Sequence, residues 1–244
     1  MTFWDHLEEL RGVLLRSLAV VCVLAVAVFC FRDTLFSVVL APKSPDFITY
    51  RWLAGLVPLD AFDVQLINTG LARQLMVHLE VSFIVGCLLA SPWWVIELFR
   101  FILPALHDNE RRVAVPLLLS GYLMFALGAA LTYFLLFPLT FRMLGTYMVS
   151  PDVPNLITLD SYVDTLLMMA LWMGLSFELP VICWLLGHMG MLRRSWLRRF
   201  RRHALVVILT LAAFITPTTD VFTLLLVGLP LYALYEISIW LVPE

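Results

Sequence analysis

The sequence predicts an all-α integral membrane protein with six transmembrane helices, the fifth of them short. Of its 244 residues, 62% are hydrophobic and only 14% are charged, whereas a soluble domain keeps about a quarter of its residues charged. The apolar residues also fall into long runs, and a helix of about 20 apolar residues spans the hydrocarbon core of a bilayer. Composition and run length together therefore exclude a soluble globular domain.

Six candidate spans follow one another along the chain. They cover residues 13–31, 74–96, 113–137, 162–186, 204–216 and 221–241. The fifth run would reach only about 20 Å as a helix, so we expect either a locally thin bilayer or a helix end covered by protein. We expect the spans to form a single membrane domain over residues 1–244, with a concave, glove-like shape.

Several helix ends can be predicted from capping residues and prolines. Asp5 with Glu8, and Ser161 with Asp164, match the capping box at the starts of the first and fourth helices. Asp220 is predicted to cap the sixth helix. Five prolines lie at or near span ends, where they are expected to kink or stop helices. They are Pro92, Pro104, Pro116, Pro138 and Pro180.

The basic residues are divided unequally between the two sides of the membrane. Eleven arginines lie on the side that holds both termini, and five basic residues lie on the other side. The positive-inside rule therefore predicts cytoplasmic termini, with external loops at about 32–73 and 138–161. In the first external loop, FITYRWLAGL is predicted to form a short helix at the interface. Residues 1–31 do not resemble a cleavable signal peptide, because the start is acidic and the apolar run is too long.

Motifs of nucleotide-binding and hydrolytic enzymes are absent from the sequence, which has no P-loop, dinucleotide fingerprint, HExxH or GxSxG. The pairs His6 with Glu9 and His107 with Glu110 offer too few ligands for a metal ion. The four cysteines fall inside apolar runs, where we expect them to pack. The sequence therefore predicts no catalytic residue, no metal site and no cofactor.

Acidic residues occur where a membrane protein ordinarily carries basic ones. Glu9 in HLEELR shares a helical stripe with Gly12 and Arg16, and Glu110 falls in the first turn of the third helix. Helix dipoles stabilise acids near helix starts and could explain both. The segment before Glu110 also exposes apolar residues such as Phe101, which favours a binding surface.

Two further acids, Glu178 and Asp220, lie in or beside the later spans. Glu178 falls in the cytoplasmic half of the fourth span, where an ionisable residue is costly and is a functional candidate. An interhelical hydrogen bond from a protonated acid is the structural alternative. With both acids as proton relays, the chain could be a proton-coupled small-solute transporter, although the repeats common in such proteins are not visible. An intramembrane enzyme would lack a nucleophile–base pair.

Five segments resemble, in the same order, those of the TatC family, the multispan subunit of the twin-arginine (Sec-independent) protein translocase. They are HLEELR, FRFILPALHDNERR, FPLTF, SFELP and TPTTDVFTLLLVGLPLYALYE. The resemblance covers nearly the whole chain. It implies a receptor in the cytoplasmic (inner) membrane that binds the twin-arginine signal peptides of folded precursors at a cytoplasmic acidic patch. Transport would be driven by the proton-motive force.

The resemblance also implies the partners and the residues that meet them. The partners would be small single-span subunits of the TatA/TatB type, further copies of the chain and the lipid bilayer, with no nucleic acid. Carried over by motif, the signal-peptide residues are Glu9, Glu110, Phe101, Glu8 and Arg11. Those for partner contact or transport are Glu178, Asp220, Pro42 and Pro104. Leu224 departs from the family pattern, because several relatives carry glutamine there.

Overall fold

The computed structural model describes residues 3–55, 64–102, 108–148, 150, 155–218 and 220–243, except the side chains of residues 3–6, 94–95, 98–102 and 108–115. Nearly all of this is helical. The helices are α1 Phe3–Cys30, α2 Arg32–Val39, α3 Ile48–Ala54, α4 Arg73–Ile102, α5 Asp108–Leu131, α6 Phe137–Thr146, α7 Leu159–Phe177, α8 Leu179–His188, α9 Arg194–Arg199, α10 Arg201–Ile215 and α11 Val221–Leu241. Two short strands, β1 Leu66–Ile67 and β2 Ile157–Thr158, pair in parallel, with Leu66 opposite Ile157.

Five described helical segments are long and apolar enough to cross a membrane. They are Leu7–Cys30, Arg73–Trp93, Pro116–Thr146, Leu159–His188 and Val221–Leu241. Each corresponds to one of the predicted spans. The remaining predicted span is α10, whose 15 residues reach about 22 Å as a helix. The prediction of a short fifth helix is therefore confirmed.

Two predicted helix starts are wrong. Helix α1 begins at Phe3, so Asp5 lies inside the helix and does not cap it. Helix α7 is capped by Thr158, whose hydroxyl accepts a hydrogen bond from the Ser161 N–H at 3.3 Å. Ser161 therefore receives the cap and does not provide it. The α7 segment offers two capping side chains within a single turn, Thr158 and Ser161, and the earlier one caps the helix.

The third span continues through Pro138 to Thr146 and does not end near residue 137 as predicted. Proline has no N–H to donate to the carbonyl four residues earlier, which is that of Phe134. The hydroxyl of Thr49 in α3 donates to the Phe134 carbonyl instead. A π-helical turn at Thr132–Leu136 widens the helix at this place. The prediction of a short helix within FITYRWLAGL is confirmed by α3.

The chain divides into two compact units. One comprises Met1–Ala41 and Asn68–Tyr122, and the other comprises Pro42–Ile67 and Leu123–Glu244. In the first unit α1 packs closely on α4, because a Cβ at Gly86 would lie 2.8 Å from the Ala25 backbone. The predictions of a single membrane domain and of a glove-like shape stay predictions.

The core of the second unit is aromatic and is built around the FPLTF segment. Tyr162 in α7 is 2% exposed, and its ring packs edge-on against Phe137 and Phe141, each at 5.0 Å between centroids. Such edge-to-face pairs stabilise a core beyond the apolar area that they bury. On the same helix, Gly174 leaves room for the Phe125 ring, which a Cβ there would approach to 2.7 Å.

Candidate signal-peptide site

A partly buried ion pair joins α1 to α4 in the first unit. The Arg16 guanidinium donates through Nε and Nη2 to the Glu97 Oε2 atom, at 2.9 and 2.8 Å. Glu97 is only 4% exposed. Removing a carboxylate from water costs free energy, so a buried one is normally paired and hydrogen-bonded. Sequence reasoning missed this pair. Its one signal is an acid inside the otherwise apolar stretch WWVIELF.

Glu9 lies two helical turns before Arg16 on α1, about 10 Å along the axis. Gly12 lies between them, and a Cβ at Gly12 would lie 3.4 Å from the Arg16 guanidinium. This contact agrees with the predicted stripe of Glu9, Gly12 and Arg16. Glu9 is partly buried, whereas Glu8 and Arg11 are exposed. Among the two neighbouring glutamates, Glu9 is therefore the one that faces the protein.

The other predicted peptide-binding residues lie on α4 and α5. Phe101 belongs to α4, one turn after Glu97, and Glu110 falls in the first turn of α5, as predicted. The side chains of Phe101 and Glu110 lie outside the described part of the structure, as does the whole of Pro104.

Helices α1 and α4 run antiparallel. Arg16 meets Glu97 at one end of the helix pair, and Phe29 stacks on His78 at the other, with ring centroids 4.0 Å apart. Glu9 precedes Arg16 and Phe101 follows Glu97, so both lie toward the same end of the pair. The helix pair thus brings together two of the elements that were predicted to form the site.

Glu178 lies at a break in the fourth span, between α7 and α8. The interruption agrees with the prediction that Pro180 kinks or stops a helix, because Pro180 lacks the N–H that would bond to the Ser176 carbonyl. The Glu178 N–H donates to the Leu175 carbonyl at 3.1 Å, and its carbonyl accepts from Ile182 at 2.9 Å. The carboxyl group is partly buried, and no side chain in the described ranges donates a hydrogen bond to it.

Asp220 caps α11, as predicted. Its carboxylate accepts hydrogen bonds from the Phe222 and Thr223 N–H groups at 3.1 and 3.0 Å, and from the Thr218 and Thr223 hydroxyls. Burial acts to raise the pKa of Asp220, but the hydrogen bonds outweigh it and hold the pKa below its usual range. A carboxylate held ionised by four donors suits a helix cap better than a proton relay.

Pro42 is one of the residues predicted for partner contact or transport. It is buried in a 3-10 turn, Ala41–Lys43. The Tyr50 hydroxyl lies 3.1 Å from the Pro42 carbonyl and 2.7 Å from that of Pro138. The Tyr50 hydroxyl therefore links α3 to the Pro42 turn and, at the shorter distance, to the third span. Leu224, which departs from the family pattern, lies in the first turn of α11, where its N–H donates to the Asp220 carbonyl at 3.0 Å.

The family model described as Sec-independent protein translocase protein (TatC) matches residues 5–230 of this chain. The chain belongs to the TatC family. The TatC of Deinococcus radiodurans is 35% identical over 97% of this chain and 83% of its own length. The TatC of Campylobacter jejuni is 33% identical over 98% of this chain and 92% of its own length. A crystal structure described as the twin-arginine translocase receptor TatC in DDM is 30% identical and covers 98% of this chain and 100% of its own, with a TM-score of 0.76.

Membership of the TatC family confirms the predicted fold class, an all-α integral membrane protein. The chain is a subunit of the Sec-independent protein translocase and not an enzyme, as the sequence predicted. The same assignment disfavours the alternative of a small-solute transporter, and so does the capping role of Asp220.

Proposed function

We propose that this TatC protein is the receptor for twin-arginine signal peptides, which it binds at a cytoplasmic acidic patch. Glu9 and Glu110 bind the two guanidinium groups, Phe101 packs against the apolar part of the peptide, and Glu8 and Arg11 flank Glu9. The observation that supports this proposal is the Arg16–Glu97 ion pair. It fastens the middle of α1 to the last turns of α4 and so holds the elements that carry Glu9 and Phe101 in fixed register.

Two carboxylates on separate elements suit a pair of consecutive arginines. In an extended peptide, neighbouring side chains point to opposite sides, so one acid meets only one of them. The planar guanidinium pairs bidentately with a carboxylate, which an ammonium group does not do. Each hydrogen bond to a charged group contributes about 1.5–3 kcal/mol. The second bond of each bidentate pair is the one that a lysine would not make with the same geometry, and it is the source of the discrimination between arginine and lysine.

The later steps of export would use the second group of predicted residues. Glu178, at the break in the fourth span, contacts the single-span TatA/TatB-type partners or gates transport, and Asp220, Pro42 and Pro104 support those contacts. Export of folded precursors across the cytoplasmic (inner) membrane is driven by the proton-motive force and involves further copies of the chain. Both termini lie in the cytoplasm, in keeping with the eleven arginines on that side.

Charge reversal at the patch tests the proposal. Glu9→Lys and Glu110→Lys should each weaken the binding of a labelled signal peptide at least tenfold, because the new ammonium group repels the arginine pair. A peptide with one arginine replaced by a neutral residue should recover part of its binding to the mutants only. The measurement is peptide affinity for the purified protein, with melting temperature recorded for every variant.

Asp33→Lys is the matched control, since Asp33 is an exposed acid on α2 outside the proposed site. It makes the same change in net charge and should leave the affinity unchanged. Glu178→Gln should keep peptide binding and reduce export, which separates the two steps. Wild-type affinity in both Glu9→Lys and Glu110→Lys would remove these acids from the site and leave them as helix-end charges.

A further inference from the structure

A strongly basic segment joins α8 to α10 in the second unit. It contains Arg193, Arg194, Arg198, Arg199, Arg201 and Arg202. The chain enters it through a tight helix end, where Gly190 has a φ of +71°. The Met191 N–H donates to the Leu186 carbonyl, and the Gly190 N–H donates to that of Gly187, each at 3.0 Å. This is the Schellman arrangement, which requires a residue that tolerates positive φ.

The segment borders a cavity of about 760 Å³. Three of the six arginines line it, Arg193, Arg194 and Arg198, together with Gly187, Gly190 and Pro243. Arg199 and Arg202 belong to the same segment but do not line the cavity. The cavity is closed on one side by tight packing, because a Cβ at Gly187 would lie 2.9 Å from Pro243. The segment therefore forms a concave cationic site in addition to its exposed charge.

The level of this cavity in the bilayer can be inferred from the ends of two membrane spans. One span ends at His188, between Gly187 and Gly190, and another ends at Leu241, two residues before Pro243. Trp196 and Phe200 flank the cavity in sequence and are 54% and 51% exposed. Large aromatic side chains of this kind are enriched where the hydrocarbon core meets the polar headgroups. We therefore expect the cavity to lie at headgroup level, whichever side of the membrane it faces.

We propose that this cavity binds a phosphate oxyanion, supplied by the headgroup of an anionic phospholipid. Guanidinium groups match the geometry of phosphate oxygens, and basic pockets at the ends of membrane helices bind acidic headgroups. Arg201 is engaged elsewhere, since it pairs with Glu236 at 2.7 Å. The proposal does not rest on signal-peptide binding. The positive-inside rule explains why arginines occur in this segment, but it does not explain why three of them line one cavity.

Lipid binding by the full-length protein in a neutral detergent tests the site. Phosphatidylglycerol and phosphatidylcholine are titrated separately, and binding is followed by native mass spectrometry and by the shift in melting temperature. We expect phosphatidylglycerol to bind at least tenfold more tightly than phosphatidylcholine. The double variant R193Q/R198Q should lose at least tenfold in affinity for phosphatidylglycerol. The matched variant R199Q/R202Q removes the same charge outside the cavity and should lose less than threefold.

Each other result would overturn the proposal in a specific way. Equal losses in the two double variants would indicate a diffuse surface potential and no site. Equal affinity for the two lipids would exclude recognition of anionic headgroups. Inorganic phosphate that produces the full stabilisation on its own would show a free anion to be the ligand. If R193Q/R198Q does not fold, R193K/R198K keeps the charge and should show an intermediate loss, whereas unchanged affinity would contradict a guanidinium–phosphate fit.

Discussion

Arg16 and Arg32 show how burial decides what an ion pair contributes in this chain. Arg16 pairs with Glu97, whose side chain is 5% exposed, whereas Arg32 pairs with Asp33, whose side chain is 92% exposed. An exposed pair loses in desolvation and side-chain entropy most of what it gains from attraction. In the Arg16–Glu97 pair, the Arg16 side chain is 57% exposed, but the buried Glu97 carboxylate accepts two contacts from this guanidinium.

We predict that Arg16→Ala lowers the free energy of unfolding by about 1–3 kcal/mol, because it removes charge-assisted donors from a buried carboxylate. Arg32→Ala is the matched control and should cost about 0–1 kcal/mol. Both values can be measured by denaturant titration of the purified protein in mild detergent. Arg16→Ala should also weaken signal-peptide binding, because it loosens the register of α1 on α4. Equal destabilisation by the two substitutions would show that the Arg16–Glu97 pair is no stronger than a surface pair.

Residues whose role is local could be predicted from the sequence, and residues with distant partners could not. Asp220 caps the helix that begins at the next residue, so its pattern is complete within four positions. Glu97 finds its partner 81 positions away, and no short motif records such a distance. The clustering of Arg193, Arg194 and Arg198 around one cavity depends in the same way on the fold of the loop.

Helix α3 is fastened to the third span by two hydroxyl groups, one of which replaces a missing backbone hydrogen bond. Thr49 donates to the Phe134 carbonyl, which Pro138 leaves without its usual donor, and Tyr50 reaches the Pro138 carbonyl. Phe47 stacks on Phe134 with nearly parallel rings, 6.1 Å between centroids. The proline that was expected to end the span therefore creates the docking point for a neighbouring helix.

Thr49→Val should destabilise the protein by about 1–3 kcal/mol, because the side chain keeps its shape while the Phe134 carbonyl loses its donor. Amide hydrogen exchange should increase first in α3. Thr210→Val in α10 serves as the control, since the Thr210 hydroxyl donates only within its own helix, to the Val206 carbonyl at 2.9 Å. If α3 exchanged at the same rate in wild type and Thr49→Val, the docking role of this hydroxyl would be refuted.

The existence of the helices and the places where they could be interrupted were predictable, but the different outcome at each proline was not. Long apolar runs locate the spans because a bilayer demands helices of a certain length. Each proline removes one backbone hydrogen bond of a helix, but it does not determine whether the helix breaks there. At Pro180 the helix breaks at Glu178, whereas at Pro138 it continues, because the Thr49 hydroxyl bonds to the one freed carbonyl, that of Phe134, and a π-helical turn widens the helix there.

At the scale of the whole molecule, the arginine distribution makes a prediction about topology. In a variant without Cys22, Cys30, Cys87 and Cys183, single cysteines can be placed at two exposed positions, Thr69 and Ser195. We predict that a membrane-impermeant maleimide applied to intact cells labels Thr69→Cys and not Ser195→Cys. Ser195→Cys should react only after the membrane is opened. The opposite pattern would invert the proposed orientation and place the acidic patch outside the cytoplasm.

The order in which the segments are synthesised gives the docking of α3 a consequence for biogenesis. Thr49 and Tyr50 leave the ribosome 85 and 88 residues before their acceptors, Phe134 and Pro138. At about 5–20 residues per second this interval lasts roughly 4–17 s. The two parts of the second compact unit, which are separate in sequence, are therefore also synthesised at different times. Helix α3 is complete while the helix it docks on is still being translated, so its hydroxyls need other partners, such as water, until the third span is inserted.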